Sequence, residues 1–258
     1  MKFSIVVPAY NEERRLGRML GEYLAYFEPR YGNDFEIVVS VNGSTDRTEE
    51  IARAFAAKHP AVVVEVEPAA IGKGGAVIAG GKVARGDLVG FADADGSTPP
   101  EAFDDLVKGI GQAGFISANR WMKGSLVEPR QPLKRRVSSR VFNALVRLLF
   151  RVGTSDTQCG AKLMRREAWE KVVPTLDITR WAFDVDLLFK ARRAGVAFKE
   201  VPTRWRDRDG SKIHYFASSV EMLLSMGRLR LVYSPFRFVV TAYDAVNDAF
   251  ARLRGPRT

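Results

Sequence analysis

Short apolar runs at residues 3–7, 35–41 and 61–66, the last two rich in β-branched side chains, recur with helix-periodic segments between them. No other feature restricts the fold as much. Between the first two runs, residues 12–27 carry Leu16, Met19, Leu20, Tyr23, Leu24 and Phe27 at three- and four-residue steps, the spacing of an amphipathic helix. Residues 46–58 and 73–84 repeat the helical pattern, and 88–91 form a further strand. Strands that alternate with helices predict an α/β fold, a mostly parallel sheet flanked by helices on both faces. Ligands on such sheets bind beyond the carboxyl ends of the strands, and residues 8–12, 42–46 and 93–97 fall on that edge.

The last of these stretches carries the sharpest chemistry. The strand at 88–91 ends in Asp93 and Asp95, one small residue apart and followed by Gly96. On extended backbone, side chains at i and i+2 point the same way. Two hard oxygen ligands there suit a divalent cation that keeps several waters and bridges to phosphates. An acidic turn that merely ends a strand has the same composition, because Asp and Gly are ordinary turn residues.

A chain of 258 residues is long enough for one domain with a full core and a helical appendage. Its 46% hydrophobic and 27% charged residues exclude a disordered chain. The formal net charge of +10 calls for a polyanionic partner: nucleic acid, an acidic membrane surface or a phosphorylated substrate. Cys159 is the one cysteine, which excludes an internal disulfide and fits a reducing compartment. The opening apolar run is too short for a signal peptide, and no apolar stretch is long enough to span a bilayer. A cytoplasmic location is expected, with any membrane contact peripheral.

Further along, Pro99-Pro100 opens a helix at 101–110, and 114–118 reads as a fifth strand. A turn-rich linker at 123–132 leads to a helix at 133–151. At about 100° per residue its Arg136, Arg140, Arg147 and Arg151 fall in a stripe roughly 60° wide, flanked by Val137, Val141, Leu145, Leu148 and Leu149. Such a helix suits a membrane interface, or a packed surface helix with solvated arginines. Residues 160–165 and 196–201 read as strands and 183–194 as a helix. Residues 1–212 are expected to form the catalytic domain. Two amphipathic helices, 213–233 and 236–253, would make a C-terminal extension that packs on the domain, pairs with a second subunit or lies on lipid.

Several motifs now stand in one order: Val-Pro-Ala-Tyr-Asn-Glu at 7–12, Asn-Gly-Ser-Thr-Asp-Arg-Thr at 42–48, Gly-Lys-Gly-Gly-Ala at 72–76 and Asp-Ala-Asp at 93–95. Asp-Thr-Gln-Cys-Gly-Ala-Lys-Leu at 156–163, Arg-Trp-Ala-Phe-Asp-Val-Asp at 180–186 and the segment 205–212 continue the series. Over about residues 2–215 the chain resembles the inverting glycosyltransferases of family 2, with the Rossmann-like GT-A fold. Within them it looks like the branch that makes dolichyl-phosphate (polyprenyl-phosphate) β-glucose.

The resemblance implies a nucleotide sugar, UDP-glucose, as donor and a polyprenyl phosphate as acceptor, with Mg2+ or Mn2+ as cofactor. Pro8, Ala9 and Tyr10 would shape the first donor loop, and Glu12 would hydrogen-bond the base or ribose; a first-turn helix acid favoured by the dipole reads the same. Asn42 stands, ahead of Gly43, where the family usually has Asp; its amide keeps a base contact but leaves the base preference open. Asp46 reads as a helix cap. Lys73, between Gly72 and Gly74, would meet the diphosphate, in a spacing that is not that of a P-loop. Asp93 and Asp95 would bind the metal, Asp95 directly and Asp93 partly through the ribose or a water. Gln158 would lie against the diphosphate or metal, and Cys159 reads as buried filler.

For the acceptor phosphate the resemblance implies Arg120 after the fifth strand, with Arg135 and Ser139 at i and i+4 on one helix. Arg208, Ser211 and Lys212 would lie on a loop that closes over the phosphates, Lys212 in a catalytic role. Asp184, at the start of a helix beside Asp186, occupies the region of the family's general base. A phosphate monoester has a second pKa of about 6 and arrives largely as an anion, so Asp184 is expected to organise the site. Rivals are a family 2 enzyme with another donor such as GDP-mannose or a soluble acceptor, and a nucleotide-sugar or nucleic-acid binding module without turnover. Aromatics interleaved with basic residues are sparse outside the terminal helices, so no nucleic acid is expected. Oligomers through the C-terminal helices are left open.

Overall fold

The computed structural model describes residues 2–129, 133–176, 182–206, 226–238 and 240, with side chains from residue 136 onward in the helix that opens at 133. The chain falls into two compact units, 1–212 and 213–258. In the first, β1 (Phe3–Ala9), α1 (Leu16–Tyr31), β2 (Phe35–Asn42), α2 (Thr48–Ala56), β3 (Val62–Glu67), α3 (Gly72–Val83) and β4 (Leu88–Phe91) follow the alternation expected from the sequence. Then come α4 (Pro100–Gly109), β5 (Phe115–Asn119), β6 (Leu126–Glu128), α5 (Leu133–Phe150), β7 (Lys162–Arg165), α6 (Arg166–Val172), α7 (Phe183–Arg193), β8 (Phe198–Pro202) and β9 (Arg204–Arg206).

Seven strands form one sheet in the order β3-β2-β1-β4-β7-β5-β8. All neighbours are parallel except β7, which runs antiparallel to both β4 and β5. The architecture is GT-A. The antiparallel strand has a specific effect: Lys162, its first residue, pairs with Phe91, the last of β4, so both stand at the edge where β1, β2, β4 and β5 end. The apolar stripe read in α1 is the buried one, Leu16, Met19, Leu20, Tyr23, Leu24 and Phe27, packed with Phe3, Ile5, Val7, Ile37 and Val39 of the sheet. On the other sheet face α3 lies so close that a Cβ on Gly80 would come within 2.5 Å of Val6.

Three elements differ from the sequence reading. Helix α1 continues past residue 27, through Pro29, to Tyr31, where the Arg30 guanidinium donates to the Tyr26 carbonyl. The linker read at 123–132 contains β6, which pairs in parallel with β9. Residues 166–172 form a helix directly after β7 where none is expected. In the second unit, residues 226–232 are helical. Most of the expected terminal helices, residues 213–225, 239 and 241–253, lie outside the described residues.

Candidate active site at the carboxyl edge of the sheet

The first wall of the site is the loop after β1, braced against the loop after β2. Asn11 holds a left-handed backbone with φ of 54°, its side-chain oxygen accepts the Thr45 N–H at 2.9 Å, and its own N–H donates to Ser44 Oγ at 3.1 Å. The Glu12 N–H donates to Thr48 Oγ1 at 2.7 Å. Asp46 accepts the Thr48 N–H at the head of α2 and the Glu13 N–H, contacts that hold its carboxyl below the ordinary value although burial opposes them.

Pro8 and Ala9 are the last residues of β1, and Tyr10 beyond them is exposed. Asn42 is buried and its amide donates to the Ala9 carbonyl at 3.1 Å, tying the ends of β1 and β2 together. That bond uses one of the two amide protons. Gly43 follows with a positive φ. Glu12 is held by Arg15 in a two-point ion pair at 2.5 and 2.6 Å. Burial raises its carboxyl above the ordinary range; Arg15 opposes the rise, and the charges of Asp95 and Asp93 add to it.

The centre of the site is a line of alternating charges. Asp93 Oδ1 lies 2.8 Å from Lys73 Nζ, Lys73 Nζ lies 3.6 Å from Asp184 Oδ2, and Asp184 Oδ1 lies 2.7 Å from Lys162 Nζ. The line ends on the Cys159 carbonyl, which accepts from Lys162 at 2.7 Å. Three packing features build it. A Cβ on Gly74 would sit 2.4 Å from the Phe183 ring, so α3 and α7 meet where Lys73 and Asp184 project. A Cβ on Gly160 would sit 2.0 Å from Asp93 Oδ2, so only glycine leaves room for that carboxylate. The Phe91 ring faces both ammonium groups, at 5.4 Å from Lys73 and 5.5 Å from Lys162.

The electrostatics follow from this order. Burial raises the Asp93 carboxyl above its ordinary value; Lys73 opposes the rise and Asp95 adds to it. Burial acts on Asp184 in the same direction, but the adjacent Lys162 and Lys73 outweigh it and hold the carboxyl below its ordinary value. Lys73 stays protonated, because Asp184 and Asp93 outweigh its burial.

Asp95 accepts the Ser97 N–H on Oδ1 at 2.8 Å, and its other oxygen has no partner among the described residues. The donor set fits a hard divalent cation of limited protein coordination. Asp95 keeps one carboxylate oxygen open near the end of β4, and the Asp93 carboxylate two residues earlier has its Oδ1 against Lys73; among the described residues no group of three or more His, Cys, Asp or Glu side chains is placed to hold a metal ion. A cation there would take much of its shell from phosphate and water oxygens, the habit of Mg2+ and similar ions.

Arg120, just beyond β5, is clamped by Asp156: Nε and Nη2 donate to its two oxygens at 2.8 Å each, and the Arg120 N–H adds a third bond at 2.9 Å. The guanidinium also lies over the Trp205 ring at 4.8 Å. Two of the three guanidinium nitrogens are thus committed to Asp156, and Nη1 has no partner among the described residues. Burial disfavours its charge, but Asp156 outweighs that and holds Arg120 firmly protonated. Ser139 is partly buried on α5, and Gln158 is partly buried in the loop before β7. The Arg135 side chain and Arg208, Ser211 and Lys212 lie outside the described residues.

Lys162 and Asp156 are the residues that motif reading passes over. Both are within the quoted 156–163 segment, and a lysine inside the strand read at 160–165 was the available signal for Lys162. Cys159, buried, has its thiol pushed up to about 12 by burial and by Asp156, as suits an inert filler.

The sheet is Rossmann-like, with acidic residues and two lysines converging at its carboxyl edge, and the sequence comparisons identify the family. The glycosyl transferase family 2 model matches residues 4–173, and the chain belongs to that family. It is a glycosyltransferase. It is 36% identical over 236 residues to the dolichyl-phosphate beta-glucosyltransferase of Drosophila melanogaster, covering 86% of this chain and 72% of the relative. It is 34% identical over 245 residues to that of Homo sapiens, covering 90% and 76%. Among solved structures it is similar to glucosyl-3-phosphoglycerate synthase from Mycobacterium tuberculosis in complex with Mn2+, UDP and glucosyl-3-phosphoglycerate. The TM-score is 0.65 at 20% identity, with 87% of this chain and 78% of that one covered.

Proposed function

We propose that the enzyme transfers glucose from UDP-glucose to a polyprenyl phosphate of the dolichyl type, with inversion. The observation that carries this reading is the charge line Asp93–Lys73–Asp184–Lys162 beside Asp95 at the sheet edge, in a chain similar to dolichyl-phosphate beta-glucosyltransferases over most of its length. An oxygen of the acceptor phosphate attacks the anomeric carbon, the bond from that carbon to the β-phosphate oxygen breaks, and UDP leaves. Lys73 binds the diphosphate and Asp93 and Asp95 hold Mg2+ or Mn2+. The metal, when bound, neutralises charge on the departing diphosphate.

No base has to remove a proton from an acceptor that is already largely ionised at neutral pH. Both Asp184 oxygens face ammonium groups, so this carboxylate orients Lys73. Arg120 offers Nη1 to the acceptor phosphate, with Arg135 and Ser139 from α5. Catalysis is mainly positioning and charge neutralisation. Among the described residues no helix is long and apolar enough to cross a membrane, and we read the enzyme as peripheral on a membrane that carries its acceptor.

The test is turnover of UDP-glucose and GDP-mannose with polyprenyl phosphate and either metal, in wild type and Asp95→Ala. Glucosyl lipid from UDP-glucose, abolished by Asp95→Ala or by a chelator, is expected. Product from GDP-mannose alone would overturn the donor, absence of any lipid product would overturn the acceptor, and wild-type rates in Asp95→Ala would overturn the metal role.

A further inference from the structure

Helix α5 leaves exposed most of the apolar flank that the sequence pattern sets beside its arginines, and it packs through another face. Phe142, Val146 and Phe150 are its packed face. Val137, Val141 and Leu148 point outward at 52%, 55% and 76% exposure. At about 100° per residue these three lie within roughly 40° of one another, with Arg140 and Arg147 immediately alongside. Next to the arginines a groove of about 410 Å³ opens between α5, Trp121 after β5 and Ser155 in the loop after α5. This is within the size range of small-ligand sites, about 300–1,000 Å³.

The groove is mostly apolar, with Arg140, Arg147 and Ser155 as its donors. Arg140 and Arg147 make no ion pair with any described carboxylate, and Arg140 lies over the Trp121 ring at 5.4 Å. The indole N–H of Trp121 is buried and has no hydrogen-bond partner among the described residues. Ser155 Oγ accepts from Asn119 at 2.7 Å and keeps its proton to donate. No acidic side chain lines the groove. Two guanidinium groups with no carboxylate partner among the described residues select an anion with several oxygens.

We propose that this groove binds the phosphate headgroup of an anionic membrane lipid, with α5 lying in the plane of the bilayer surface. The outward Val137, Val141 and Leu148 then meet the acyl boundary, while Arg140 and Arg147 reach back to phosphates, the geometry of an interfacial helix. The excess of basic over acidic residues adds a long-range pull towards the same surface. This inference rests on the peripheral-membrane part of the reading above and is independent of donor and metal.

Sedimentation with vesicles tests it, using phosphatidylcholine alone or with a third of the lipid replaced by phosphatidylglycerol. The wild-type protein is expected to bind the anionic vesicles. Arg140→Ala/Arg147→Ala should weaken that binding roughly 30-fold, from about 1 kcal/mol per basic residue near the surface. Val141→Ser/Leu148→Ser should weaken it too, with circular dichroism unchanged. Wild-type vesicle affinity in the arginine double variant would overturn the site. Tight binding of inorganic phosphate without vesicle binding would overturn the lipid in favour of a soluble anion. Turnover of a short-chain prenyl phosphate in detergent is expected to survive in the arginine variant; its loss would overturn the distinction from the acceptor site. Absence of wild-type turnover beside intact vesicle binding would count against the proposed reaction alone.

Discussion

Lys162→Met removes one ammonium group and little volume from the inner end of the charge line. Lys162 is 1% exposed, and among the described residues its ammonium meets the Asp184 carboxylate, the Cys159 carbonyl and the face of the Phe91 ring. Removing one partner of a buried ion pair costs about 3–5 kcal/mol, because the other charge is left without compensation. Here Asp184 retains Lys73 at 3.6 Å, itself one-third exposed and able to move closer, so about 2–3 kcal/mol of stability should be lost near neutral pH.

The loss should depend on pH with a definite sign. Lys162 helps to hold the Asp184 carboxyl below its ordinary value against burial, so the stability it contributes is present above the unfolded-state value of about 4. It fades as pH falls through the lowered folded value. Urea denaturation of both proteins from neutral pH downward should therefore show the two stabilities converging below about pH 4. Adding Asp184→Asn should recover part of the loss, since a neutral amide needs no counter-charge. Turnover should fall as well, because Lys73 drawn towards Asp184 leaves its 2.8 Å contact with Asp93. A neutral-pH loss below about 1 kcal/mol, or one that neither varies with pH nor responds to Asp184→Asn, would refute the argument.

Two further outcomes follow from the same geometry. Gly160→Ala places a methyl group where Asp93 Oδ2 now lies, 2.0 Å from the new carbon, and so displaces the carboxylate; turnover should fall by about 100-fold or more, and titration with Mn2+ should show weakened binding, whereas unchanged metal affinity would contradict it. Cys159, with its thiol pushed up to about 12 and buried, should resist iodoacetamide at mildly alkaline pH in the folded protein and react after denaturation, as peptide mass spectrometry would reveal.

The parts of this molecule that were legible from sequence are those set by local pattern. Strand β4 has the bounds read for it, Leu88–Phe91, because a buried run that ends in Asp-x-Asp-Gly carries its own punctuation. The α1 stripe was legible because six apolar residues at helical spacing leave one face to bury. Helix α5 shows where that logic stops. It has two apolar stripes, and only packing decides that Phe142, Val146 and Phe150 face inward while Val137, Val141 and Leu148 face out. The three-residue strands β6 and β9 are too short to show any period.

Lys162 was illegible for a related reason, and it bears most on the chemistry. Motif reading finds residues that touch ligand, whereas the position of Lys162 depends on cross-strand register. Only when β7 enters the sheet antiparallel does its first residue pair with Phe91, two positions before Asp93. A parallel β7 would carry this lysine to the opposite edge. The direction of one four-residue strand thus fixes the partner of Asp184, through Asp184 the orientation of Lys73, and through Lys73 the surroundings of the Asp93 carboxylate. A charged residue inside a predicted buried strand next to a glycine-flanked acidic motif is the sequence signal to follow, since an ammonium group in that setting requires a carboxylate partner close to the site.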